Sequence, residues 1–320
     1  MRTIKITVLL AVLLNMVGVK TFAHDIEVKN DDGVTIYYNF INGNTELEVT
    51  YRGKDYYDGD RYVGNIIIPE SVIYNGKSYN VTSIGSYAFS GCKGLTSVTI
   101  SKNINNIGGI DFNYSAIYPH SGYSACFYEC TNLFEVTINN KAIASAYYYY
   151  NYFTIAAIFG AQVKQYTLSN DITSIGNYAF YGCTDLTKIV MGNAVETINS
   201  GAFANCKKLE DVYCYTVRYP YYISSDAFNG SYIDYVTLHV PAQSVTQYKN
   251  QSPWSGFMDV VPLTDSDPQP TSIDATLMNS GERTIKATYD LGGKQFSQPQ
   301  RGLNIVKMSD GTTKKVVVNQ

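Results

Sequence analysis

Charge and histidine are both scarce in this chain. Only 16% of its 320 residues are Asp, Glu, Lys or Arg and the net charge is −3, so it has no basic field of the kind that draws in nucleic acid or an anionic membrane. Nucleic acid is not an expected partner. Three histidines, His24, His120 and His239, are spread along the whole sequence, whereas a hydrolytic triad or a zinc site needs such groups to converge. Gly-x-Gly-x-x-Gly, Gly-x-x-x-x-Gly-Lys-Ser/Thr and His-Glu-x-x-His are all missing, which removes the common signatures of phosphate cradles and metalloproteases. Asp55, Asp58 and Asp60 cluster in DYYDGD but lack the spacing of a calcium loop, and read as a solvated turn. The expectation is a chain that is no enzyme and carries neither cofactor nor metal.

Long apolar runs are limited to one. Ile6–Val19 follows Arg2 and Lys5 and precedes the small residues Thr21 and Ala23. That run is shorter than the roughly 20 residues needed to cross a bilayer, so residues 1–23 read as a secretory signal cut before His24. No span is expected in the mature chain.

What is abundant is tyrosine, at 30 residues, and repetition. Ile175 and Ile198, Phe180 and Phe203, Cys183 and Cys206, and Ile189 and Val212 are all 23 apart, the mark of stacked copies of one unit. The first copy carries Ile84, Ala88, Phe89, Cys92, Leu95, Val98 and Ile100; the second has Ile107, an insertion, then Cys126, Phe127, Cys130, Leu133, Val136 and Ile138. A third is eroded to Ile158, Phe159, Val163, Tyr166 and Leu168. The fourth runs from Ile175 through Ala179 to Met191, the fifth from Ile198 through Ala202 to Cys214, and the sixth keeps Ala227, Phe228, Val236 and Leu238 but has Ser231 for the cysteine.

A unit so short has one apolar edge and must bury it against its neighbours, so the chain is expected to be an α/β or mainly β solenoid. Leu-x-x-Val-x-Ile alternates with period two and predicts a short strand with one buried face. Six such strands, about 4.8 Å apart, would form a parallel ladder. The Ile…Ala-Phe-x-x-Cys part predicts a turn or short helix returning over the core.

TSIGSYAFSGCKGLTSVTI (82–100) and TSIGNYAFYGCTDLTKIVM (173–191) resemble the BspA-type leucine-rich repeat family of bacterial surface antigens. The resemblance covers about residues 81–240 and implies a leucine-rich repeat fold, an extracellular or outer-surface location and a part in adhesion. Residues 24–80, with VTIYYNFI, ELEVTY and NIIIPESV separated by Asp-Gly and Asn-Gly turns, predict an N-terminal β cap. The solenoid with its closing unit would occupy 81–263; there Ser244 is expected to cap a short helix and Pro253 and Trp254 to fold an aromatic over the last copy. TDSDPQPTS (264–272) reads as a polar linker.

Residues 273–320 predict a small separate β module. Tyr289, Asp290, Leu291, Gly293, Lys294, Arg301, Gly302, Leu303, Ile305, Val306, Lys315, Val316 and Val318 resemble the C-terminal modules of secreted proteins from gram-negative anaerobes. In some of those bacteria the module directs type IX export and attachment outside, which the resemblance implies for this one. This copy is short and ends in Asn319-Gln320.

All six cysteines, Cys92, Cys126, Cys130, Cys183, Cys206 and Cys214, fall where other copies place core residues, which favours buried thiols. Cys92 with Cys130 and Cys183 with Cys206 sit in adjacent turns, where a disulfide is also within reach.

With no chemistry in view, function is expected on exposed surfaces. Strand residues flanking the buried ones should face outward: Ser97, Thr99 and Ser101; Glu135, Thr137 and Asn139; Gln165, Thr167 and Ser169; Lys188, Val190 and Gly192; Asp211, Tyr213 and Tyr215; Tyr235, Thr237 and His239. Glu135, Lys188, Asp211, Tyr213, Tyr215, Tyr235, Thr237 and His239 form the candidate binding face. Tyr114, Tyr118 and Tyr123 in the insertion, and Tyr147, Tyr148, Tyr149 and Tyr150 in the third copy, form candidate loops. The expected ligand is an extracellular protein of a host or neighbouring cell. A tyrosine strip at 213, 215 and 235 would instead suit a glycan, captured as a nutrient.

Overall fold

The structure, a computed structural model, describes residues 24–30, 33–53, 61–113, 126–148 and 154–270, and the strands Ile285–Tyr289, Gln295–Phe296, Gly302–Met308 and Thr313–Val318. Residues 1–23 and the Asp55, Asp58 and Asp60 turn lie outside the described residues. Two compact units divide the chain, Met1–Ile273 and Asp274–Gln320.

In the first unit eight strands form one parallel sheet: Gly64–Ile67, Leu95–Ile100, Glu135–Ile138, Gln165–Leu168, Lys188–Met191, Asp211–Cys214, Thr237–Val240 and Asp259–Pro262. The repeat pattern foresaw six. One further strand is supplied from each flanking segment, which satisfies backbone groups that the end copies would leave unpaired. Val98, Val136, Tyr166, Ile189, Val212, Leu238 and Val260 share one register and are all buried. A second, narrower run of pairs aligns Ile84 with Ile107, and Ile175 with Ile198 and Ile223.

Ahead of the ladder, Ile26–Lys29, Thr35–Ile41 and Glu46–Thr50 form an antiparallel meander whose last strand pairs in parallel with Lys77–Ile84. Ser71–Tyr74 and Lys77–Ile84 make a hairpin, with Asn75 and Gly76 both left-handed at φ 50° and 76°. Asn-Gly favours that two-residue turn because neither residue is badly strained at positive φ.

The Ala-Phe-x-x-Cys segments are turns. Left-handed residues recur in them at matching positions, Tyr87, Tyr178 and Gly201 just before the Ala-Phe pair and Gly91, Glu129, Gly182, Asn205 and Gly230 two residues after the phenylalanine, and such residues interrupt a right-handed helix. Backbone donors instead reach the next turn: Phe89 N to Cys126 O at 3.0 Å, Phe180 N to Ala202 O at 2.8 Å, Phe203 N to Ala227 O at 2.7 Å. Among the described residues α-helices occur where the repeat is irregular, at Lys141–Ser145 and Ile155–Phe159 in the third copy and at Val245–Lys249 in the closing unit. Asn140 caps the first of these by accepting from Ile143 N at 2.9 Å. Ser244 caps nothing; its hydroxyl donates to Val217 O at 2.6 Å.

Rings fill the interior in single file. Tyr62 meets Phe89 at 4.8 Å, Phe89 stacks on Phe127 at 4.9 Å, and Phe127 meets Phe159 at 5.0 Å; further on, Phe180, Phe203 and Phe228 stack at 5.2 Å spacings. Between Phe159 and Phe180 the eroded copy leaves a gap. Tyr166 fills it from the ladder strand, 6.3 Å from one ring and 5.0 Å from the other. Trp254 closes the file, edge-on to Phe228 at 6.0 Å and to Tyr248 at 5.3 Å.

All six cysteines are buried and free. Two donate back to the preceding turn, Cys130 to Phe89 O at 3.0 Å and Cys206 to Phe180 O at 3.1 Å. Burial pushes the Cys126 and Cys183 thiols well up, so they stay protonated and inert.

The second unit is a four-stranded antiparallel sheet in the order Gln295–Phe296, Ile285–Tyr289, Gly302–Met308, Thr313–Val318.

Two substitutions test the ring file by urea denaturation. Phe203→Ala should cost about 3–5 kcal/mol, because it empties a site with rings on both sides. The Tyr166 hydroxyl is buried without a hydrogen-bond partner, so Tyr166→Phe should leave stability unchanged or raise it by about 1 kcal/mol.

Candidate binding surface on the strand ladder

Register sorts the outward ladder residues into two columns. The first holds Asn65, Ser97, Glu135, Gln165, Lys188, Asp211, Thr237 and Asp259. All are exposed or half-buried. It carries both signs of charge, at positions set one strand spacing apart by the backbone ladder.

The second column holds Thr99, Thr137, Thr167, Val190, Tyr213 and His239. Its middle is covered: Thr167, Val190 and Tyr213 are 6%, 0% and 6% exposed. Three residues expected to face outward just past the strands, Ser101, Asn139 and Ser169, are buried as well. They sit where each strand gives way to its turn, so the alternation that governs the strand no longer applies. At the same position in the fourth copy is Gly192, where a Cβ would come within 2.3 Å of Ser169 O, so neighbouring turns touch there.

Lys188, Asp211, Tyr213 and His239 do come together. His239 Nε2 lies 2.9 Å from Asp211 Oδ1, the His239 ring stacks on Tyr213 at 4.2 Å and 15°, and Lys188 Nζ stands 5.7 Å from the Tyr213 ring centre. Lys188 and His239 thus flank one aromatic ring, beside one carboxylate. Burial, with help from the charges of Asp211 and Asp267, pushes the Tyr213 hydroxyl up to about 12, so it remains a neutral donor.

Tyr235 stands apart from this group. It belongs to the short helical turn Ile233–Tyr235, four residues before His239, and is 72% exposed. Thr237 is half-buried at the start of its strand. Tyr213, Tyr215 and Tyr235 therefore do not make one aromatic strip.

Tyr215 is engaged by the chain itself. Leu263 N donates to Val240 O at 2.8 Å, and the segment that follows runs back across the strand ends. The Tyr215 hydroxyl donates to Pro268 O at 3.0 Å and accepts from Gln269 Nε2 at 2.9 Å; Asn170 Nδ2 then donates to Pro270 O at 3.0 Å. Pro270 is buried. Residues 264–270, expected to be a linker, thus form a strap from the sixth copy to the third. Two prolines, short of backbone donors and fixed in φ, gave no alternation to announce it.

Of the candidate loop residues, Tyr114, Tyr118, Tyr123, Tyr149 and Tyr150 lie outside the described residues. Tyr147 is 39% exposed. Tyr148 is a correction: it is wholly buried, and its hydroxyl donates to Ile143 O at 2.8 Å. It packs behind the third-copy helix as core. Among the described residues no three His, Cys, Asp or Glu side chains converge as a metal site.

The strap gives a direct test. Tyr215→Phe combined with Gln269→Ala removes the bonds from Tyr215 to Pro268 O and from Gln269 to Tyr215 and should raise amide exchange in 264–270 by tenfold or more. Global stability should fall by no more than about 1 kcal/mol, since the segment adds few buried groups.

The family model of the BspA type leucine rich repeat region matches this chain in six copies, over residues 70–159 and 123–252. Among solved structures, the chain is similar to the leucine rich repeat protein TpLRR of T. pallidum, with 16% identity, a TM-score of 0.34 and coverage of 71% of this chain and 80% of that one. It is also similar to a leucine-rich repeat protein of Bacteroides ovatus, at 15% identity and TM-score 0.26, covering 75% and 77%. A leucine rich cell surface protein of Faecalibacterium prausnitzii shares 12% identity at TM-score 0.25, over 76% and 96%. None of the curated proteins matches it. Such repeats are in general protein-interaction scaffolds and not enzymes, and by its six matched copies this chain belongs to the BspA-type leucine-rich repeat family.

Proposed function

We propose that this is a secreted or surface-held binding protein of a gram-negative bacterium, which docks an extracellular protein of a host or neighbouring cell on the open column of its ladder. The observation that carries this reading is the run Glu135, Gln165, Lys188, Asp211 beside the half-buried His239, with both signs of charge on a fixed spacing. A surface already ordered by the ladder loses little entropy on binding. Its mixed charges select a partner by complementarity more than by bulk attraction.

Adhesion is the role such docking would serve. The signal-like residues 1–23 and the resemblance of 273–320 to sorting modules support export and retention outside the cell. No helix among the described residues is long and apolar enough to cross a membrane. Glycan capture on the ladder itself has less support, because Tyr213 is covered and Tyr215 is bonded to the strap.

A screen of the mature chain against extracellular-matrix proteins tests the docking face. Lys188→Glu with Asp211→Lys should weaken the captured partner at least tenfold, or about 1.4 kcal/mol, with the melting temperature unchanged. Equal binding by the charge-reversed protein would remove this face from consideration. Mass measurement of the exported protein should give a chain beginning at His24; an unprocessed cytoplasmic product would contradict the assigned location.

A further inference from the structure

A groove remains that the ladder does not use. On the turns of the fourth to sixth copies, two depressions of about 270 and 570 Å3 share Asp226 and Asn229 and so form one shallow trough. Its aromatic surface comes from Tyr178 and Tyr181, whose rings meet at 80° with centres 6.0 Å apart, and from Tyr232, which is 55% exposed. Tyr178 reaches its place because the next turn has Gly201, where a Cβ would stand 2.5 Å from the ring. Tyr178, Asn205 and Tyr232 are all left-handed, at φ 56°, 60° and 50°. Such backbone aims their side chains away from the turn and costs energy in a non-glycine residue.

The polar surface comes from Asn205, Asn229 and Asp226. Asp226 Oδ2 accepts from Ser200 Oγ at 2.7 Å; Oδ1 accepts from Ser224 Oγ at 2.5 Å and from Gly201 N at 3.2 Å. The two serine hydroxyls hold its carboxyl below the usual range. These bonds fix the orientation of the Asp226 carboxylate at the trough. The two asparagine amides each offer both donors and acceptors.

Charge narrows the choice of ligand. Asp226 and Asp234 line the trough, and among the described residues no Lys, Arg or His does, so sulfated, sialylated and phosphorylated groups are repelled. Aromatic faces suit the C–H face of a sugar ring, while amides and a carboxylate suit its hydroxyls. A shallow trough spanning three turns suits a chain of such rings better than a single compact molecule. We propose that this trough binds a neutral oligosaccharide. The proposal rests on residues other than the ladder face, and stands or falls separately from protein docking.

The test is an array of neutral, sialylated and sulfated oligosaccharides probed with the mature chain, followed by saturation-transfer NMR on the best neutral hit. Tyr232→Ala and Asn229→Ala, both at exposed positions, should each reduce transfer at least fivefold, and Asp226→Asn should weaken it as well. Lys188→Glu on the ladder should leave it intact. Failure of every neutral glycan to bind would overturn the proposal. So would a preference for sulfated or sialylated chains, or a neutral hit whose transfer is the same in Tyr232→Ala and Asn229→Ala. If Tyr232→Ala proved unfolded by circular dichroism, Tyr232→Phe would replace it, with transfer retained.

Discussion

Ring stacking along the interior is the contact on which the rest of this structure depends. The Phe180, Phe203 and Phe228 rings repeat at 5.2 Å, close to the strand spacing of about 4.8 Å on the opposite side of each coil. Strand side and turn side therefore advance by nearly the same step per copy, and the backbone bonds of both can persist from one copy to the next. Where the third copy lacks a regular turn, Tyr166 keeps the file unbroken. Its ring remains in contact with both neighbours, at the expense of a buried hydroxyl without a partner.

That arrangement fills the interior of the coil with side chains. The cysteines serve it as small apolar groups, and two of their thiols, those of Cys130 and Cys206, bond to turn carbonyls; the buried tyrosines serve it as rings. Recognition falls to the surfaces the stack presents. On the ladder one outward column is closed at Val190 and Tyr213 and the strap engages Tyr215, while the charged column stays open. On the turns, substitutions of single repeat positions, Gly201 where the fourth copy has Tyr178 and Asp226 in the sixth, carve a trough with a different character.

Short-range features were readable from residues alone. Tyr74-Asn75-Gly76-Lys77 folds as the hairpin that Asn-Gly favours, and Trp254 lies over the last phenylalanine. Exposure was harder to read. Tyr148 sits in a run of tyrosines that looks like a loop, yet its ring is core, because the preceding helix turns it inward. Tyr213 alternates outward as expected and is nevertheless covered, since His239 from the next strand stacks on it. Cover of this sort comes from residues distant in sequence, and a period of two carries no information about them.

The sequence by itself determined the repeat, the strand alternation and the columns of phenylalanine and cysteine, because each is a local pattern copied from unit to unit, at an interval of 23 residues where the copies are regular. Only the tertiary structure decided which outward residues remain open. Asn170 and Pro270 are 100 residues apart, Tyr215 and Pro268 are 53 apart, and each pair meets only once the coil is wound and the strap returns across it. The trough at Asp226 likewise exists only where three successive turns are laid side by side, since its walls come from separate copies and its shape from the absence of a side chain at Gly201.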